Sequence, residues 1–149
     1  MSQTYIGSTL RTGSGTLTDA TDGGYVVTAQ TTTVTTVAAG TASSATITIP
    51  ASSQIIEFFV DCTTTPVAGG GTATAVNATI GTAAAGTQYL SATDCIAGGR
   101  ASLSFTAAQL TAMSDVGTNQ SVVVTVDPNG TVSTTQGVYR LTVVYAQKV

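Results

Sequence analysis

The chain predicts an all-β fold: an antiparallel β-sandwich with one short helix and an extended N-terminal arm. Three observations carry that prediction. Threonine supplies about a fifth of the 149 residues and valine is abundant beside it, and β-branched side chains suit a pleated, half-buried surface. Apolar residues recur with a period of two over short runs separated by Gly, Pro and Asn. One stretch alone, Thr106 to Met113, has helix chemistry.

The elements follow in order. Residues 1–24 read as an extended arm. Tyr5, Ile6, Leu10 and Leu17 are spaced irregularly among Gly, Ser and Thr, so nothing there buries a continuous face. A disordered tail is the competing description. The sharper one is an arm ordered on a partner and anchored by Tyr5, Ile6, Leu10 and Arg11. Residues 25–149 form a single sandwich domain. Tyr25–Gln30 and Thr31–Val37 are β-branched runs, and Ser44–Ile49 places Ile47 and Ile49 on one face before Pro50 stops it. Gln54–Asp61 is the most apolar strand. Strict alternation puts Ile56, Phe58 and Val60 on one face and Ile55, Glu57, Phe59 and Asp61 on the other.

After a Pro- and Gly-rich loop, Thr72–Ile80 turns Val76, Ala78 and Ile80 inward. Thr87–Ala92, carrying Tyr89, and Arg100–Phe105 are further short strands. Thr106 and Gln109 match the S/T-x-x-E/Q capping box of a two-turn helix. Two long strands close the chain, one with Val122, Val124 and Val126 on a face, the other with Tyr139, Leu141, Val143 and Tyr145. Between them Asp127-Pro-Asn-Gly130 is a turn in which Gly130 supplies a positive φ. A jelly roll is one member of the sandwich group, and periodicity does not choose among its topologies.

Composition removes most catalytic machinery. There is no histidine, and the seven carboxylates are scattered singly, so no general base near neutrality stands out. The Ser and Thr hydroxyls lack a His or positioned Lys to activate them. The chain does not read as an enzyme, and no cofactor or metal is expected. Asp127-Pro-Asn-Gly130 lacks the spacing and closing Glu of a calcium loop. Gly69-Gly70-Gly71 precedes a strand, not the helix N-terminus a phosphate would use. Four cations and a net charge of −3 argue against nucleic acid as a partner. No apolar run approaches the roughly 18 residues of a spanning helix, so no membrane partner is expected. The opening residues lack a basic, apolar leader, which implies synthesis in the cytoplasm. Cys62 and Cys95 read as buried free thiols, with a late disulfide as the alternative. Asp94 with Arg100 reads as a loop ion pair.

Ile55 and Phe59, flanking Glu57 on the face opposite Phe58, are either covered within the domain or form a subunit interface. The low charge favours association, because ions are depleted at interface cores.

Ser53-Gln-Ile-Ile-Glu57, Ala78-Thr-Ile-Gly-Thr-Ala-Ala-Ala-Gly-Thr-Gln-Tyr89, Gly99-Arg100, Phe105-Thr-Ala-Ala-Gln-Leu110, Met113-Ser-Asp-Val-Gly-Thr-Asn119 and the final Val-rich strands carry a resemblance. Together, over roughly Ser44 to Gln147, they resemble head decoration, or cement, proteins of tailed bacteriophages. The resemblance implies a jelly-roll-like fold and a place on the capsid exterior of the virion. It also implies a trimer that binds the major capsid protein and reinforces joints between its subunits. It brings no catalytic residues. A different class, a carbohydrate- or cell-surface-binding module of a phage fibre or tail tip, is the alternative. Its exposed aromatics would come from Tyr5, Tyr25, Tyr89, Tyr139 and Tyr145.

Overall fold

Within residues 11–12, 15–16, 25–37, 40–66, 73–130 and 136–148, which a computed structural model describes, the β-branched runs become strands. A two-residue pair comes first, β1 (Arg11–Thr12) with β2 (Gly15–Thr16). Then come β3 (Tyr25–Thr35), β4 (Ser43–Ile49), β5 (Ser53–Thr64), β6 (Val76–Gly81), β7 (Leu90–Asp94) and β8 (Gly99–Arg100). Helix α1 (Ala107–Ser114) precedes the two last strands, β9 (Gln120–Pro128) and β10 (Val138–Lys148).

One sheet has the order β3-β10-β5-β8 and the other β4-β9-β6-β7. Strands equidistant from the β6–β7 connection pair with each other: β3 with β10, β4 with β9, β5 with β8, and β6 with β7, all antiparallel. The chain is therefore one long hairpin of four strand pairs, wound so that successive pairs alternate between sheets. The contacts β10–β5 and β9–β6 complete the two sheets. That winding is a jelly roll. Its central strands, β10, β5, β9 and β6, are the most apolar in the sequence, as strands covered on an inner face must be.

The core lies between the sheets. Ile47 and Ile49, then Val76, Ala78 and Ile80, then Val122, Val124 and Val126 face inward from one sheet. Tyr139, Leu141, Val143 and Tyr145 answer from β10. Burying one Val, Leu, Ile or Phe side chain fully stabilises by roughly 1.5–3 kcal/mol, so this interior outweighs anything on the surface. All four inward sets agree with the alternation read from sequence.

Strand β5 departs from it. Its pairing with β10 places Val144 opposite Glu57 and Tyr145 opposite Ile55, so Ile56 is an extra residue with no counterpart. This β-bulge reverses the phase of the strand. Ile55, at 3% exposure, joins Phe58 and Val60 in the core, whereas Ile56 is 48% exposed. The shared face expected for Ile55 and Phe59 does not exist.

Two further boundaries shift. Leu90–Asp94 forms the strand beside β6, leaving Tyr89 buried just ahead of it. Of the expected Arg100–Phe105 strand only Arg100 pairs with β5, together with Gly99 just before it. Ala101, Leu103 and Phe105 still pack against the core at every second position, because alternation reports burial even where no ladder forms.

The helix forms as its cap dictates. Thr106 Oγ1 accepts from the Gln109 amide at 3.3 Å, and Gln109 Oε1 accepts from the Thr106 amide at 2.8 Å. Gln109 is buried, and its Nε2 donates to Thr87 O at 3.1 Å and Ser91 Oγ at 3.0 Å. One side chain thus caps the helix and ties it to the β6–β7 connection. At the predicted turn, Gly130 has φ of 105°, the left-handed region that favours glycine.

Candidate interaction surface

Of the arm residues singled out by sequence, Tyr5, Ile6 and Leu10 lie outside the described residues. Arg11 lies in β1, paired with Thr16. Ile55 is withdrawn as an interface residue, because the bulge turns it into the core. Phe59 remains on the outer face of the β3-β10-β5-β8 sheet, where the structure surrounds it with charge.

The Arg100 guanidinium lies 4.1 Å from the Phe59 ring centroid, well inside cation–π range. Its Nε donates to Asp61 Oδ1 at 2.9 Å and its Nη2 to Oδ2 at 3.4 Å. Arg140 Nη2 donates to Asp61 Oδ2 at 3.2 Å. The register explains the convergence: Arg140 of β10 and Arg100 of β8 are the lateral partners of Asp61 on either side of β5. The Asp94–Arg100 pair expected from sequence is absent. Asp94 Oδ1 instead accepts from the amides of Val76 at 3.0 Å and Ile96 at 3.1 Å. Sequence proximity suggested the wrong partner, and the sheet supplied another 39 positions away.

Asp61 is buried, and its arginine partners are about half exposed. The hydrogen bond from Arg100 is the main reason its carboxyl sits below the ordinary value of 3.8, with Arg140 adding to it and burial opposing. A carboxylate held in this way stays ionised at neutral pH and fixes two arginines; it does not carry protons. Glu57, close enough to act on Arg100, makes the group two acids and two bases, without net charge.

Away from this cluster the described side chains of the outer face are uncharged. Tyr25 and Val27 on β3 are 58% and 62% exposed, and Ile56 stands on β5. Thr31, Thr33 and Thr35 continue along β3, with Thr31 Oγ1 3.2 Å from Thr142 Oγ1 on β10. Strand β3 is also the sheet edge, and its 11 residues include neither a charge nor a proline. Edge strands of soluble monomers are usually short, charged or broken. This one has none of those devices.

The remaining reactive groups face inward. Cys62 and Cys95 are both buried free thiols, and Cys95 is pushed up to about 12, mainly by burial. Tyr139 lies beside both, also raised by burial, and among the described residues its hydroxyl has no hydrogen-bond partner. Tyr89, Tyr139 and Tyr145 are core residues, which leaves Tyr25 as the exposed tyrosine among those described. Among the described residues no group of three or more His, Cys, Asp and Glu is placed to hold a metal ion, and no helix is long and apolar enough to cross a membrane.

No known protein family, curated protein or solved structure matches the chain.

Proposed function

We propose that this protein is a structural component of a phage virion, a homotrimer that decorates the capsid exterior and reinforces contacts between major capsid subunits. The observation that supports the reading most is the outer face of the β3-β10-β5-β8 sheet. It combines exposed Tyr25, Val27 and Ile56, a row of threonines, an unprotected edge strand and a charge cluster that neutralises itself. Such a surface can be covered by another chain without stripping water from a lone ion. Association through it adds buried area, which is how a cement protein stabilises a shell. The resemblance to head decoration proteins supports the same reading. The arm, through Tyr5, Ile6, Leu10 and Arg11, supplies the anchor on the major capsid protein.

The test uses purified heads lacking the protein, incubated with the recombinant chain. Full-length protein is expected to saturate at a fixed stoichiometry and to raise the temperature at which heads release their contents. Removing residues 1–24 is expected to abolish attachment while the sandwich keeps its unfolding midpoint. Glu at both Ile56 and Phe59 is expected to split the oligomer in sedimentation. Attachment of the truncated chain with unchanged affinity defeats the arm reading, and a full chain that never binds heads defeats the whole proposal.

A further inference from the structure

A second surface feature lies at the end of the sandwich, and it is built differently from the sheet face. Tyr25, Ser52, Ser53, Gln54, Ser114, Asp115 and Gly117 line an open cleft of about 400 Å3, within the roughly 300–1,000 Å3 of small-molecule sites. Its walls are the β4–β5 turn and the segment after α1, and backbone bonds hold them together. The Val116 amide donates to Ser53 O at 2.9 Å and the Ser52 amide to Gly117 O at 3.3 Å. Asn119 Oδ1 accepts from the Ala51 amide at 2.9 Å. Ser52 takes a φ of 56°, uncommon for a residue with a side chain. Ser53 is 2% exposed, and among the described residues its Oγ has no hydrogen-bond partner. A buried hydroxyl is ordinarily satisfied, and this one, at the cleft wall, is not.

We infer that this cleft binds one pyranose unit of a neutral glycan. The chemistry of the lining fits a polyol better than an apolar ligand or an ion. The Ser52 hydroxyl both donates and accepts, Ser114 Oγ gives its proton to Thr111 O at 2.7 Å and keeps lone pairs to accept, and Gln54 donates and accepts through separate atoms. Asp115 spends Oδ1 on the Gly117 amide at 2.8 Å, which leaves Oδ2 to accept from a sugar hydroxyl. Tyr25 offers an exposed ring with a polar tip at the rim. A single carboxylate is too few for a calcium site, which takes six to eight oxygens with several carboxylates among them. The same carboxylate repels an acidic sugar. The cleft shares Tyr25 with the outer face, but its other walls lie at the end of the sandwich, so the inference does not rest on the capsid proposal.

Saturation-transfer NMR with the methyl pyranosides of glucose, galactose, mannose and N-acetylglucosamine, and with methyl galacturonate glycoside left as the free acid, tests it on the full chain. At least one neutral pyranoside is expected to bind with millimolar affinity and to shift the amide signals of Ser53 and Gly117. Tyr25→Ala and Asp115→Asn are each expected to weaken it roughly tenfold without moving the unfolding midpoint; Asn keeps the acceptor for the Gly117 amide. Absence of transfer from all four neutral sugars up to 50 mM of added ligand, about fiftyfold above a millimolar dissociation constant, overturns the inference. So does binding that both substitutions leave intact, or equal binding of the uronate. Asp115→Asn leaves the outer face untouched, so its outcome is independent of attachment to heads.

Discussion

Truncating Ile55 and Ile56 separately tests the bulge on which the outer face depends. The two residues are chemically identical neighbours, and strict alternation assigns the surface to the first and the core to the second. The structure reverses them, with Ile55 at 3% exposure opposite Tyr145 and Ile56 at 48% with no counterpart on β10. Ile55→Ala removes three buried carbons and leaves a cavity among Phe58, Val60 and the β10 side chains, which costs about 2–5 kcal/mol. Ile56→Ala loses the same three carbons from a half-exposed position. At about 0.8 kcal/mol per buried methylene, it costs about 1 kcal/mol. For a chain of this length each kcal/mol moves Tm by roughly 2–4 °C, so Ile55→Ala is expected to lower it by about 4–20 °C and Ile56→Ala by about 2–4 °C. Thermal unfolding followed by circular dichroism at two protein concentrations makes the comparison, since any contribution from an oligomer interface varies with concentration. Equal losses, or a larger loss at Ile56, refute the bulge and return Ile55 to the surface.

Acid unfolding reports on Asp61. Its folded pKa is lowered by Arg100 and Arg140, so the ion cluster stabilises above the ordinary value of 3.8 and that contribution fades as pH falls through the lower folded value. Urea midpoints measured from pH 6 downward are expected to drop more steeply below pH 3.8 for the wild type than for Asp61→Asn. Gln109→Ala removes half of the capping box, one bond to the β6–β7 connection at Thr87 and one to Ser91 of β7. It is expected to cost about 1–3 kcal/mol in urea unfolding. Gly81→Ala places a methyl 2.5 Å from the Gly86 backbone, and overpacking of that kind costs typically 1–3 kcal/mol in the same assay.

Where the sequence is legible, a single physical rule acts alone. In β4, β6, β9 and β10 the inner face is apolar at every second residue, so alternation reads the core directly. Thr106 and Gln109 cap their helix because the capping box is local and needs no partner beyond four residues. Misreadings arise where two elements meet. The Ile56 bulge exists because β5 and β10 differ by one residue in register, and both faces of Ser53–Thr64 carry apolar residues, so period two gives no warning. Arg100 pairs with Asp61 rather than Asp94 because β8 lies beside β5, a neighbourhood set by the jelly-roll winding. The Tyr25 cleft was equally hidden: its walls come from β3, the β4–β5 turn and the segment after α1, and no short motif joins them. The signal that could have pointed there is Ser52-Ser53 directly after Pro50 and Ala51, a turn rich in hydroxyls.

The charge cluster separates two ways in which the outer face could hold a partner. If attachment were ionic, the cations Arg100 and Arg140 would have to be free to meet acids on another chain. Both already donate to Asp61, Arg100 lies over Phe59 as well, and Glu57 acts on Arg100 from the same strand as Asp61. A new carboxylate would have to displace partners held at 2.9–3.4 Å, for little net gain at a half-exposed site. Under the proposed function, association of copies through this face therefore rests on shape and apolar contact through Tyr25, Val27, Ile56 and Phe59. Such contact is insensitive to screening, whereas exposed charges lose their reach as the Debye length falls from about 10 Å at 0.1 M salt to about 3 Å at 1 M. The sedimentation coefficient of the oligomer is accordingly expected to be unchanged across that range. Dissociation at high salt would mean that ions, not the apolar part of the face, hold the copies together.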